Sequence, residues 1–295
     1  MKIASLLSRV ADLVNPALEA AIASDVASLR PLHDAMRYSL LAKGKRIRPA
    51  LCLASCEAVG GRAEDAVAAA TALELVHTYS LIHDDLPCMD DDDFRRGVPT
   101  NHRVHGEAMA VLAGDALLTR AFGVLTDGGG PTPPKRTLEM VAALAQAAGA
   151  HGMVGGQALD LAAERKTGVE LAELREIHTR KTGALFEASC QLGGLAGGAN
   201  ADLLDVLRRF GAAAGYAFQI ADDLLDETGS RDDLGKDAGR DRALGKATGP
   251  GILGEEESRR VLASLVEEAV KLADGFGESG EGLAALVRFV KDRDR

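Results

Sequence analysis

The sequence has no Trp, and three Tyr and seven Phe keep its aromatic content at 3%. That leaves few flat surfaces for nucleic-acid bases to stack on. Cations are also in deficit, and the net charge of -10 excludes a broad phosphate-binding face, so nucleic acid is not an expected partner. The four cysteines, at 52, 56, 88 and 190, have no C-x-x-C spacing and are too sparse for a disulfide scaffold, which predicts reduced thiols. No uncharged apolar run reaches the roughly 18 residues of a membrane helix. Lys2, Arg9 and Asp12 interrupt the first sixteen residues, so they do not read as a signal peptide. The expectation is a cytoplasmic protein with no stable membrane insertion.

Period-two alternation is missing as well, which argues against strands. What is present is Ala, Leu and Glu in quantity, with apolar residues recurring three and four apart. The pattern predicts helices over 2–29, 32–41, 48–59, 63–85, 108–125, 135–163, 171–195, 201–226, 255–276 and 281–291, an all-α chain. Gly, Pro and Asp clusters separate them, and none is long and polar enough to be an obvious linker, so 1–295 reads as one helical-bundle domain. Gly152, Gly155, Gly156, Gly193 and Gly194 fall inside apolar helical pattern, where each costs about 1 kcal/mol against Ala. Close helix packing or room for a bulky ligand would explain them equally well.

His83-Asp84-Asp85-Leu86-Pro87-Cys88-Met89-Asp90-Asp91-Asp92-Asp93 follows the largely apolar run 73–82 and concentrates six carboxylates in eleven residues. A second cluster, Phe218 to Asp226, places Gln219, Asp222, Asp223 and Asp226 on one helix face. Carboxylates at that spacing repel unless a cation sits between them, and buried unpaired ones cost several kcal/mol. A few hard oxygen ligands with open positions suit Mg²⁺ held together with a substrate's phosphates better than Zn²⁺ or a closed calcium cage. Candidate phosphate clamps are Lys45, Arg46 and Arg48, Arg95 and Arg96, Lys181 with Thr182, and Lys236 and Lys246. Asp84, Asp85 and Asp90 are the expected ligands of the first cluster, and Asp91 to Asp93 a solvated lead-in to Arg95.

The stretches GKRIRP, SLIHDDLPCMDDDDFRRGVPTNH, GDALL, GGQALDL, HTRKTGALF, FQIADDLLD and LGKDAGRDRALGKAT, in this order, resemble the trans-isoprenyl diphosphate synthases. The likeness spans about residues 38–251 and is nearest to the short-chain bacterial farnesyl and the related geranylgeranyl diphosphate synthases. It implies a bundle of antiparallel helices around a deep apolar cavity, assembled as a homodimer, with both aspartate motifs at its mouth. By the same resemblance Asp84, Asp85, Asp90, Asp222, Asp223 and Asp226 hold Mg²⁺, three ions with bound diphosphate, on an allylic diphosphate. Arg95, Lys181, Thr182, Gln219, Lys236 and Lys246 serve that substrate, with Lys181 also catalytic. Lys45, Arg48, His77 and Arg96 bind isopentenyl diphosphate. The allylic C–O bond ionises, the isopentenyl double bond attacks the cation, and a proton is lost, with released diphosphate as the implied base.

Tyr79 stands five residues before Asp84, about 7.5 Å lower along a helix. With Ser80 beside it, it is the candidate floor of the chain-length cavity, and a bulky residue there implies a farnesyl product. The details PCMD and PTNH also look like geranylgeranyl enzymes, which keeps the twenty-carbon product open. His83, His102 and His105 read as structural. An HD-type phosphohydrolase leaves 222–226 idle, a terpene cyclase normally lacks a second all-Asp motif, and a non-catalytic subunit has no need of intact acidic motifs.

Overall fold

The computed structural model describes residues 2–127, 132–164, 166, 168–228 and 247–292. Its helices are α1 (Ile3–Ala21), α2 (Arg30–Leu40), α3 (Ile47–Ala58), α4 (Val67–Asp84), α5 (Asn101–His105), α6 (Glu107–Thr126) and α7 (Pro134–Ala148). They continue with α8 (Met153–Ala163), α9 (Leu171–His178), α10 (Ala184–Ala196), α11 (Ala201–Thr228), α12 (Gly249–Leu253), α13 (Glu255–Asp274) and α14 (Glu281–Lys291). Outer helices bury one stripe: α1 turns Leu6, Val10, Val14 and Leu18, four apart, into the core. By contrast α4 is buried without interruption from Ala69 to Val76, as a helix enclosed on all sides must be. It packs on α1, α3, α6 and α10, while α10 joins α3 and α7 to α11, and α11 leans on α13. The all-α expectation holds.

Several predicted helices are divided. The first stops at Ala21, Ser24 accepts the Val26 N–H at 3.3 Å, and a 3₁₀ turn at Ala27–Leu29 leads into α2, where proline sits in the first turn. Residues 135–163 split at Gly149 to Gly152, because Gly152 is non-helical and a Cβ there would lie 2.1 Å from the Ala147 carbonyl oxygen. Residues 63–66 form a 3₁₀ turn before α4. The expected absence of strands fails in one place, a two-residue hairpin pairing Phe94–Arg95 with Val98–Pro99. Arg96 and Gly97, at φ 54° and 79°, make the left-handed two-residue turn such hairpins need, and two residues per strand are too few to show alternation. Among the described residues α6 has the length and mean hydropathy, 1.5, of a membrane span. It carries Glu107, Asp115 and Arg120 and packs along α4.

The glycines resolve toward close packing. A Cβ on Gly193 would stand 2.0 Å from the Cys52 carbonyl oxygen of α3, and one on Gly156 would stand 2.2 Å from the backbone nitrogen of Lys181. Cys52, Cys56 and Cys190 are buried and Cys88 is exposed, all with free thiols.

Candidate active site

The first acidic cluster caps the end of α4 with its own backbone. Asp84 is the last helical residue, and the N–H groups of Asp90 and Asp92 donate to the carbonyls of Asp84 and Asp85 at 2.9 and 3.2 Å. Proline at 87 stops the helix from running on, so the chain turns back and stacks carboxylates where the helix dipole already disfavours negative charge. Burial pushes Asp84 up to about 6, with Lys181 opposing and the neighbouring charge of Asp90 adding. A chain keeps such a carboxylate for a cation.

Asp85 has a different neighbourhood. Its Oδ1 accepts from Arg95 Nε at 2.6 Å, Arg95 Nη2 lies 2.6 Å from the same oxygen, and Asp85 is 3% exposed. The second neighbour of that guanidinium is Asp92, at 3.5 Å. The expectation of a solvated Asp91 to Asp93 therefore fails at its centre. Asp92 is buried, and its carbonyl accepts from Thr100 Oγ1 at 2.6 Å. Asp91 and Asp93 are exposed as expected.

The second cluster occupies the last turns of α11. Thr182 donates to Gln219 Oε1 at 2.7 Å, Gln219 Nε2 donates to Asp223 Oδ1 at 2.9 Å, and the Gly249 N–H donates to Asp223 Oδ2 at 2.8 Å. His178 Nε2 stands 3.7 Å from Asp223, and burial, partly countered by Asp160, lowers its pKa to about 4. In each cluster, then, surrounding donors hold an aspartate, Asp85 in the first and Asp223 in the second. Asp226 is also buried and Asp222 half-buried.

Lys181 and Thr182 sit on a π-helical turn, Thr179–Gly183, between α9 and α10. Such bulges re-aim side chains. This one seats on Gly156 of α8, and Lys181 Nζ donates to Asp160 Oδ2 on the same helix at 2.6 Å. Asp160 lies in the stretch GGQALDL, but a lone acid in an apolar helix does not show by itself which cation it holds.

The remaining predicted cations surround a cleft of about 460 Å³ lined by Lys43, Lys45, Arg48, His77, Arg96 and Phe218. Arg46 also lines the cleft but is already committed: it is buried, pairs with Glu74 at 2.6 Å and donates to the carbonyl of Leu40. It braces the loop that presents Lys45 where it enters α3 beside Arg48. Arg48 lies over the Phe186 ring, 5.2 Å from its centroid; burial lowers it to about 10, against the charges of Glu74 and Asp222. Lys45 Nζ lies 5.2 Å over Phe289 of α14. Burial and then Arg48, Arg96 and Arg95 hold His77 well below the usual histidine range, so it enters the cleft as a neutral donor. Arg96 Nη1 donates to the Lys43 carbonyl at 2.9 Å, tying the two basic loops together.

Among the described residues the non-glycine positions with positive φ are Arg46, Asp91 and Arg96, all in the loops around these clusters. Strained backbone gathers where side chains must be aimed. The π turn is what stands between the two motifs: Lys181 favours the charged form of Asp84, and its neighbour Thr182 donates to Gln219, which donates to Asp223. A larger groove, about 690 Å³, includes no acidic-motif residue, and its Arg180 and Arg208 are already paired with Glu176 and Glu187. Lys236 and Lys246 lie outside the described residues.

The donor set fits Mg²⁺ by its chemistry. Every candidate ligand is a hard carboxylate oxygen, and the half-buried Asp84 carboxylate feels the charges of Asp90 and Asp85. Among the described residues no three His, Cys, Asp or Glu side chains close around one point.

The family model for polyprenyl synthetase matches residues 30–275. A chloroplastic geranylgeranyl pyrophosphate synthase of Capsicum annuum is 48% identical over 282 residues, 95% of this chain and 76% of that one. The chloroplastic heterodimeric geranylgeranyl pyrophosphate synthase large subunit 1 of Arabidopsis thaliana is 47% identical, covering 96% of this chain and 77% of its own. The apo crystal structure of an FPP/GFPP synthase from Zymomonas mobilis superposes with a TM-score of 0.88 at 38% identity, over 98% of both chains. With the paired acidic clusters and their basic cleft in place, this chain belongs to the polyprenyl synthetase family of prenyltransferases.

Proposed function

We propose that the protein condenses isopentenyl diphosphate with allylic diphosphates, with Mg²⁺, and carries the chain to geranylgeranyl diphosphate. The observation that carries the reading is the π turn that holds Lys181, which favours the charged Asp84, beside Thr182, which is hydrogen-bonded through Gln219 to Asp223, next to the cleft lined by Lys45, Arg48, His77 and Arg96. It sets an anion-holding mouth beside a cleft of cations. The twenty-carbon product is supported by the names of the Capsicum and Arabidopsis relatives, and it displaces the farnesyl product expected from Tyr79 alone.

Asp84, Asp90, Asp222 and Asp226 hold the metal, which neutralises the leaving diphosphate's charge. Asp85 aims Arg95 at the allylic diphosphate, and Asp223 fixes Gln219 and with it Thr182. Lys45, Arg48, His77 and Arg96 take the isopentenyl diphosphate, the neutral His77 as a hydrogen-bond donor. Neither a homodimer nor a cytoplasmic location is needed for this chemistry, and both are kept as proposals.

A second reading, farnesyl diphosphate, is favoured by Tyr79, a phenol 5% exposed on α4. The test is elongation of geranyl diphosphate by isopentenyl diphosphate with Mg²⁺ and with a chelator. Twenty-carbon product, lost on chelation, is expected. Arrest at fifteen carbons supports the second reading, and diphosphate release without elongation removes both.

A further inference from the structure

Tyr79 is unlike Tyr38, whose hydroxyl donates to the Pro99 carbonyl at 2.7 Å. The Tyr79 hydroxyl is buried with no hydrogen-bond partner among the described residues. Nothing polar anchors the ring, so packing alone decides where it stands. The aromatic neighbour is His83, one turn on along α4, edge-on at 5.7 Å between centroids and 78° between planes. Residues four apart share a helix face, and side chains lean toward the helix N-terminus, so His83 leans over Tyr79. Asp84, five residues from Tyr79, is about 140° around the helix and has no such reach.

His83 is itself fixed. Its Nε2 lies 3.0 Å from the Val111 carbonyl oxygen of α6. A carbonyl only accepts, so Nε2 carries the proton. The imidazole fills a slot that exists because residue 114 is glycine: a Cβ there would stand 2.1 Å from His83 Nε2 and 2.5 Å from Cδ2. Val111 and Gly114 are three apart on α6 and present one surface to the ring.

We propose that His83, clamped between the Val111 carbonyl and the bare backbone of Gly114, is a positioning residue that buttresses Tyr79 and thereby sets how long the prenyl chain grows. The inference rests on the prenyl-elongating reading above and on the chain growing down along α4 toward Tyr79. A buttressed ring is a fixed floor. An unbuttressed one, with no hydrogen bond of its own, yields to the advancing chain.

The test is product length from geranyl diphosphate and excess isopentenyl diphosphate in wild type, His83→Ala, Tyr79→Ala and the double variant. His83→Ala is expected to lengthen the main product by at least one five-carbon unit. In the Tyr79→Ala background the same change is expected to shift nothing, since His83 acts through Tyr79. His83→Gln, which keeps an amide donor for Val111 and loses the ring, covers the case in which the alanine variant does not fold, and the same lengthening is expected. An unchanged or shorter product from either folded variant overturns the proposal, as does an equal shift with Tyr79 absent. If wild type releases diphosphate without elongating, the prenyl-elongating reading itself has failed, and the inference falls with it.

Discussion

Arg95 grips Asp85 Oδ1 with two nitrogens, each at 2.6 Å, and so turns the second aspartate of the first motif into the anchor of a cation. Asp84, its neighbour in sequence, has no such grip: burial raises its pKa, Lys181 opposes that and the charge of Asp90 adds to it. The two should answer differently to mutation. Asp85→Asn removes one side of a buried pair and is expected to destabilise the protein by about 3 kcal/mol. Its KM for the allylic substrate should rise while kcat falls less than in Asp84→Asn. Urea titration and steady-state kinetics of the two variants check this.

Asp84 gives a pH-dependent prediction. Its folded pKa, about 6, lies above the usual carboxylate value of 3.8, so its contribution to stability is intact at low pH and is lost as pH rises through about 6. Above that pH the charged side chain costs the metal-free protein on the order of 3 kcal/mol. Asp84→Asn should therefore match wild type near pH 4 and exceed its melting temperature at pH 8, with chelator present, while losing turnover. Equal melting temperatures at both pH values would show that the carboxylate is not desolvated.

Gly156 supports the π-helical turn. Adding a methyl group at a site 2.2 Å from the Lys181 backbone nitrogen must displace that turn. Gly156→Ala is expected to lower kcat by about 10²-fold, the usual consequence of shifting an aligned group by about 1 Å. Circular dichroism should show the helices retained.

Arg46 and Glu74 predict stability without direct chemistry. Both are buried and pair at 2.6 Å. Glu74→Gln leaves a buried guanidinium without its counter-charge and is expected to cost about 3 to 5 kcal/mol in a urea titration. Because Arg46 braces the loop carrying Lys45 where it enters α3 beside Arg48, KM for isopentenyl diphosphate should rise in the folded fraction.

The helices were legible because their apolar spacing repeats over many residues, and the acidic and basic motifs because six carboxylates beside an apolar run defy solvation. The hairpin at Phe94–Pro99 was not, since two residues per strand carry no period. The division of 171–195 by a π turn at Thr179–Gly183 leaves the apolar pattern nearly intact, and only the seat on Gly156 betrays it. Asp92 looked like one more solvated acid, because its sequence neighbours are acids and its partners, Arg95 and Thr100, come from the returning hairpin. The glycines signalled close approach without naming the partner, which for Gly193 is α3 and for Gly114 is His83. Pairings that cross the bundle, Lys181 with Asp160 and Arg46 with Glu74, are matters of packing that no local pattern encodes.

The central claim is that the two acidic motifs, on α4 and α11, work as one diphosphate-holding unit. It is tested most directly by the single-turnover elongation rate of Asp84→Ala, Asp222→Ala and the double variant with Mg²⁺. The account predicts that each single change costs at least about 10³-fold and that the double change costs little more, as groups acting together do. A single variant that retains near wild-type elongation, or losses that simply multiply in the double, would contradict it.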